Sequence, residues 1–179
     1  MKRLIFIQNK VLHYRKSLYN ELSKHYNVTV IHSGELSKSS SDLYKELIVP
    51  NTKFGPFCFQ IGLLRKVKSL APDVVIAMFD IRWVNTFSLL NKNSSYKFIW
   101  WGLDTGQNSL ATKLKVLISR LGFPIIFYND FNKNKMAKLG LGSSQLYVAN
   151  NTFDVGERFP SYENPVKNKI LFVGSFDKR

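Results

Sequence analysis

The sequence predicts an α/β domain of three layers, in which a mainly parallel sheet of about seven strands carries helices on both faces. Three observations predict it. Short apolar runs alternate with amphipathic stretches along the whole chain, the pattern of repeated strand–helix–strand units. Apolar residues between those runs recur at helical spacing. Turn and cap residues fall at the boundaries between the two kinds of segment.

Taken in order, strands are expected at Arg3–Gln8, Asn27–His32, Lys45–Val49, Asp73–Phe79, Tyr96–Trp101, Ile125–Asn129 and Gln145–Ala149. The first helix is read from Tyr14, Leu18 and Leu22, and the second from Leu63, Val67 and Leu70. Leu114, Leu117, Ile118 and Leu121 make a third stripe, with Lys113, Lys115 and Arg120 mostly off that face, so this basic helix is either a solvated wall or a membrane-surface face. Pro72 separates a helix from a strand, Asp130 can cap the helix that follows it, and Gly140 suits that helix's C-terminal turn. Ser37 to Ser41 reads as a mobile loop.

The chain is expected to divide into a first domain over residues 1–152, a polar linker over 153–168, and the start of a second domain over 169–179. The last piece rests on Lys169 to Gly174, a buried-strand signal with only five residues after it. That strand is expected to pair with an edge of its own sheet or with another chain, because an exposed apolar strand invites association through residues 170–173.

Composition limits what the protein can be. Hydrophobic residues make up 45% and aromatics 14% of 179 residues, enough to fill a core without disulfide or metal. Cys58 is the single cysteine, which excludes an intrachain bridge and fits a reducing cytoplasm. The apolar core Leu4 to Ile7 is too short for a signal peptide, and Phe54 to Leu64 is too short to span a bilayer. The net charge of +14 divides evenly, each half carrying 13 basic and 6 acidic residues. Such a surface attracts phosphate-bearing substrates, an anionic membrane leaflet or nucleic acid, although the even split does not favour nucleic acid. The expected location is the cytoplasm, with peripheral contact on the inner face of the membrane as one use of the charge.

Several chemistries are absent. No glycine follows the first strand, where Gln8 to Arg15 stand, so neither a dinucleotide fingerprint nor a P-loop occupies the usual position. His13, His25 and His32 lack metal-binding spacing, no Gly-x-Ser-x-Gly elbow occurs, and no metal or cofactor is expected. Ligands of open parallel sheets sit beyond the carboxyl ends of the strands. Those ends carry Asn9, His13, Tyr14 and Arg15, then Asp80, Arg82 and Trp83, then Trp101, Gly102 and Asp104, then Tyr128 and Asn129, then Asn150 and Asn151. Aromatic faces beside amide, carboxylate and guanidinium groups suit a sugar, whose rings offer apolar C–H faces and hydroxyls. Each has an ordinary reading too: a cap for Asp130, a surface pair for Asp80 and Arg82, core for Trp83 and Trp100.

Four segments make the chain resemble the amino-terminal half of a GT-B glycosyltransferase of the retaining family-four type. They are the first strand with its loop to Tyr14-Arg15, the run Ala71-Pro72-Asp73-Val74-Val75-Ile76, the strand ending Trp100-Trp101-Gly102, and Val148 to Thr152 followed by Ile170 to Gly174. The resemblance implies a Rossmann-like domain that binds a sugar or lipid-linked acceptor, while a second domain grips the nucleotide-sugar donor, without metal. It places Arg15 and Arg82 against phosphate, Trp101 against a sugar face, and Asp104 beside an acceptor hydroxyl or the positive charge of the transition state. The arginine that relatives often place just after the second-domain glycine, to bind donor diphosphate, is replaced here by Ser175, so donor-phosphate binding falls to Ser175 with Lys178 or Arg179 as the substitute cation. Leu103 replaces a histidine that many relatives carry, so any role of that histidine passes to Asp104 or is lost. On this reading the chain alone is inactive. The competing expectation is a non-catalytic Rossmann-like module that binds anionic ligands, lipid head groups or nucleic acid.

Overall fold

A computed structural model describes residues 1–102 and 110–150. The order is β1 (Arg3–Ile7), α1 (Lys16–Ser23), β2 (Asn27–His32), β3 (Lys45–Ile48), β4 (Asn51–Phe54), β5 (Phe57–Gln60), α2 (Leu63–Leu70), β6 (Val74–Met78), β7 (Lys97–Trp101), α3 (Leu110–Ser119), β8 (Ile125–Phe127), α4 (Asp130–Lys138) and β9 (Leu146–Val148). Short 3-10 turns precede α1 and β9 and span Val84–Leu89. Seven strands form one sheet in the order β3-β2-β1-β6-β7-β8-β9. Every pairing in it is parallel. All seven expected strands are present.

Alternation along the strands sorts the core onto two faces. Ile5, Ile7, Val75, Ala77, Trp100, Ile125 and Phe127 point to one side, with Leu63 and Val67 of α2 and Met136 of α4 packed over them. Leu4, Phe6, Val28, Val30 and Trp101 point to the other, under Tyr19 of α1. Helices therefore cover both faces, and the fold is an α/β, Rossmann-like domain.

Four local readings are corrected. The inner face of α1 is Arg15, Tyr19 and Leu22, not Tyr14, Leu18 and Leu22; Leu18 is exposed because a 3-10 turn at His13–Arg15 rotates the helix entry. The cap of α4 is Asn129, whose Oδ1 accepts the Asn132 N–H at 2.9 Å, so Asp130 serves only the first turn. Residues 37–41 are fastened. Ser37 donates to Glu46 from its N–H at 2.8 Å, Ser39 donates to Asp42 at 2.7 Å, and the Lys16 ammonium bonds the Ser37 carbonyl. Glu46 in turn lies 2.7 Å from Nε2 of His32, both side chains being fully buried. Gly34 donates to Nδ1, which puts the ring proton on Nε2 toward the carboxylate.

The fourth is the antiparallel hairpin β4–β5, which no sequence signal announced. It folds back across the sheet edge. Cys58 donates its N–H to the Arg82 carbonyl at 2.7 Å and bridges to Trp83, tying the hairpin to the loop after β6. The linker at 153–168 and the strand at 169–174 lie outside the described residues.

Candidate functional site at the carboxyl edge of the sheet

Strand order reverses between β1 and β6, and the carboxyl ends of those strands diverge there into the usual ligand crevice. In this chain that crevice is filled. Gln60, at the end of β5, is buried and donates from Nε2 to the Gln8 carbonyl at 3.2 Å and to Ser33 Oγ at 3.1 Å. The side chains of Met78, Trp83 and Thr86 line what is left.

Among the described residues, an open cavity lies one strand over. It measures about 360 Å³ and is lined at the ends of β6 and β7 by Met78, Phe79, Asp80, Ile81, Arg82 and Gly102, with Ala111 and Lys115 from α3. Asp80 and Arg82 form a chelated pair: Arg82 Nε donates to Asp80 Oδ1 at 2.9 Å, and Nη2 donates to Oδ2 at 2.6 Å. The Arg82 backbone N–H adds a bond to Oδ1 at 3.0 Å. Burial alone would raise the Asp80 pKa, but the side-chain and backbone bonds from Arg82 and the charges of Arg82 and Lys115 hold it below the ordinary carboxylate range. The pair correspondingly raises Arg82. The cavity thus presents a fixed carboxylate beside two cations.

A second cluster lies behind Gly102. The Arg15 guanidinium sits 4.4 Å above the Trp101 ring and donates to Gln8 Oε1 at 3.0 Å and to the Tyr128 hydroxyl at 2.6 Å. Gln8 passes the chain on to the Tyr19 hydroxyl. Burial pushes the Tyr19 and Tyr128 phenols above the ordinary range, with Arg15 opposing the shift in both. Gly102 has φ +78°, and a Cβ built there would come within 2.8 Å of Tyr128 Cε2 and closer still to Cζ and the hydroxyl. Only glycine lets Tyr128 close over Arg15.

The expected residues therefore divide. Asp80, Arg82 and Gly102 meet at the cavity, while Tyr14, Arg15, Trp101 and Tyr128 meet in the buried cluster. Two roles are corrected here. Trp101 is 7% exposed with Arg15 against its ring, so it is not free to stack on a sugar, and Arg15 is 6% exposed with its donors turned to Gln8 and Tyr128 instead of a phosphate. Asn9 is bound to the Lys10 N–H, His13 stands exposed beside Tyr14, Trp83 is half-buried under the hairpin, Asn129 caps α4, and Asn150 is exposed past β9. Asp104, Asn151, Ser175, Lys178 and Arg179 lie outside the described residues. Sequence reasoning missed Gln60 and Lys115. Nothing local marked Gln60; Lys115 sits in the second turn of the helix that leaves β7, a position that overhangs the carboxyl edge.

Among the described residues no cluster of three or more His, Cys, Asp or Glu could hold a metal ion, and no helix is long and apolar enough to cross a membrane.

No known family model and no curated protein matches the chain. Solved structures do match in fold. UDP-N-acetylglucosamine 2-epimerase from Rickettsia bellii superposes at TM-score 0.60 and 14% identity, over 84% of this chain and 45% of that one. HepE from Anabaena, in complex with UDP and glucose, superposes at TM-score 0.59 and 12% identity over 86% and 45%. UDP-GlcNAc 2-epimerase from Methanocaldococcus jannaschii superposes at 0.55 and 16% identity over 83% and 45%. The chain has a GT-B-type Rossmann-like fold and spans less than half the length of these neighbours.

Proposed function

We propose that this chain is the acceptor-binding half of a glycosyltransferase that moves a sugar from a nucleoside-diphosphate sugar to a saccharide or lipid-linked acceptor. The observation that carries the reading is the cavity at the ends of β6 and β7, where Asp80, Arg82 and Lys115 converge. Its support is the likeness of the fold to HepE, solved with UDP and with UDP-glucose. A carboxylate held ionised accepts hydrogen bonds from sugar hydroxyls, and the neighbouring cations suit the phosphate of a lipid-linked acceptor. The retaining, metal-free course, Asp104 as the group beside the reacting hydroxyl, and Ser175, Lys178 and Arg179 at the donor phosphates rest on the sequence resemblance.

Two of the structural neighbours are 2-epimerases, which favours a second reading: half of an enzyme that epimerises a nucleotide sugar. Calorimetric titration of the chain with nucleoside diphosphates, UDP-glucose, UDP-GlcNAc and a panel of saccharide and polyprenyl-phosphate sugars separates the readings. Acceptor binding without nucleotide binding, weakened about tenfold or more by Asp80→Asn, supports the first reading. Tight nucleotide binding indifferent to Asp80→Asn overturns it, and C2 inversion of UDP-GlcNAc seen by NMR selects the second.

A further inference from the structure

Helix α3 packs Val116 and Ile118 against the core and leaves a row of leucines outside. At about 100° per residue, Leu110, Leu114, Leu117 and Leu121 fall within an arc of about 60°. The buried Thr112 and Ser119 lie roughly opposite the centre of that arc. The four leucines are 83%, 43%, 62% and 48% exposed. Ser119 Oγ returns to its own helix, on the Lys115 carbonyl at 2.8 Å, which satisfies the hydroxyl of this buried residue. Helical bonding continues past Ser119, with the Arg120 N–H 3.2 Å from the Val116 carbonyl, so Leu121 extends the stripe. A surface helix ordinarily turns its leucines inward. Here Val116 and Ile118 meet the core, Thr112 and Ser119 are buried, and the leucines are left outside.

Charge says what the stripe meets. Lys113 and Arg120 flank it on one side, and beyond them a groove of about 670 Å³ between α3 and α4 is lined by Thr112, Lys113, Val116, Arg120, Lys135, Lys138 and Leu139. None of those seven residues is acidic, and α3 carries no acid at all. Apolar side chains with a cationic border match the two layers of an anionic bilayer surface, acyl chains under phosphates. A second copy of this chain, at +14, would bring the same cations against these. Nucleic acid would use the cations and leave the leucines unexplained.

We infer that the face of α3 is a docking surface for an anionic lipid membrane, lying in the interface plane with Leu110, Leu114, Leu117 and Leu121 toward the acyl region and Lys113, Arg120 and Lys138 toward the phosphates. The inference is independent of the sugar chemistry proposed above.

The test is co-sedimentation of the full chain with phosphatidylcholine vesicles containing or lacking phosphatidylglycerol, at low and physiological salt. Binding is expected only with the anionic vesicles, and raised salt weakens it. Leu114→Ser with Leu117→Ser lowers partitioning tenfold or more, and each of Lys113→Gln, Arg120→Gln and Lys138→Gln lowers it about fivefold. The urea midpoint of every variant stays at the parent value, since these side chains are outside the core, which separates lost docking from lost folding. No binding to anionic vesicles at low salt overturns the proposal, as does equal binding to neutral ones. So does a leucine variant that sediments with vesicles unchanged while sedimentation velocity shows it converting a dimer to a monomer, and so does loss of RNA binding from the cation variants with vesicle binding intact.

Discussion

The Arg15 guanidinium lies 4.4 Å above the ring of Trp101, 86 residues away in sequence, and it donates to nothing acidic: its bonds run to Gln8 and Tyr128, and no carboxylate pairs with it among the described residues. Its Nε is buried without a partner. A buried cation held by π faces and neutral oxygens is sensitive to the shape of its head group. Arg15→Lys keeps the charge and loses the planar stack, and is expected to destabilise the fold most, by about 3 kcal/mol. Arg15→Met, which removes the charge and keeps the volume, should cost least of Lys, Ala and Met. Urea denaturation of the three variants checks the order, and a Met variant less stable than the Lys variant would contradict it.

Gly102→Ala drives a methyl into the Tyr128 ring at a positive φ, and should cost about 3 kcal/mol or more. Adding Tyr128→Phe should not rescue it, because the overlap reaches the ring carbons and not only the hydroxyl. Tyr128→Ser in the same background should recover part of the loss. Thermal melts of the single and double variants decide the matter.

Gln60 closes the crevice between β1 and β6 by two side-chain bonds. Gln60→Glu puts a carboxylate against the Gln8 carbonyl, so it should lose about 2–3 kcal/mol near neutral pH and regain part of it in acid, where the side chain can donate again. Gln60→Ala should show no such recovery. Stability measured against pH for the two variants separates loss of a donor from loss of packing.

Asp80 has a folded pKa below its unfolded value, so its contribution to stability is present above the unfolded value of about 4 and is lost as pH falls through the folded one. Arg82→Gln removes the bonds that depress it and leaves the desolvation that raises it. The variant should therefore lose stability at pH 7 and show a flatter acid limb below about pH 4 than the parent. Urea midpoints between pH 3 and pH 7 give the comparison, and parallel curves would count against the pair. At the alkaline end Tyr44, pushed up to about 12 by burial and then by the Asp42 charge, should ionise well after exposed tyrosines in a 295 nm titration. Its contribution is present below the ordinary phenol value and lost as pH rises through the folded one.

The strands were legible because each is a local apolar run with its partners on either side, and burial on both faces of a parallel sheet demands such runs. Helix faces were less so. Leu18 and Leu117 satisfy helical spacing yet stand in solvent, because the 3-10 entry to α1 and the packing of α3 through Val116 and Ile118 turn other faces to the core. The hairpin β4–β5 was invisible, since its strands are only four residues long, β4 is mostly polar, and its anchor is the Arg82 carbonyl, distant in sequence.

Residues at the carboxyl edge were found from the sequence, because strand ends can be counted from the apolar runs. Which of them share a cavity was not. Asp80 and Arg82 are two apart, and their pairing is nearly local; Lys115 joins them only because α3 packs beside β6 and β7. Arg15 and Trp101 both read as ligand groups, and only strand adjacency in the order β1-β6-β7 brings a cation onto that ring and takes both out of reach. The sequence by itself determined the α/β class, the seven parallel strands and the basic surface, all properties of local pattern and composition. The tertiary structure decided which crevice is filled, which cavity is open and which leucines are left outside, because those depend on contacts between segments that no local periodicity encodes.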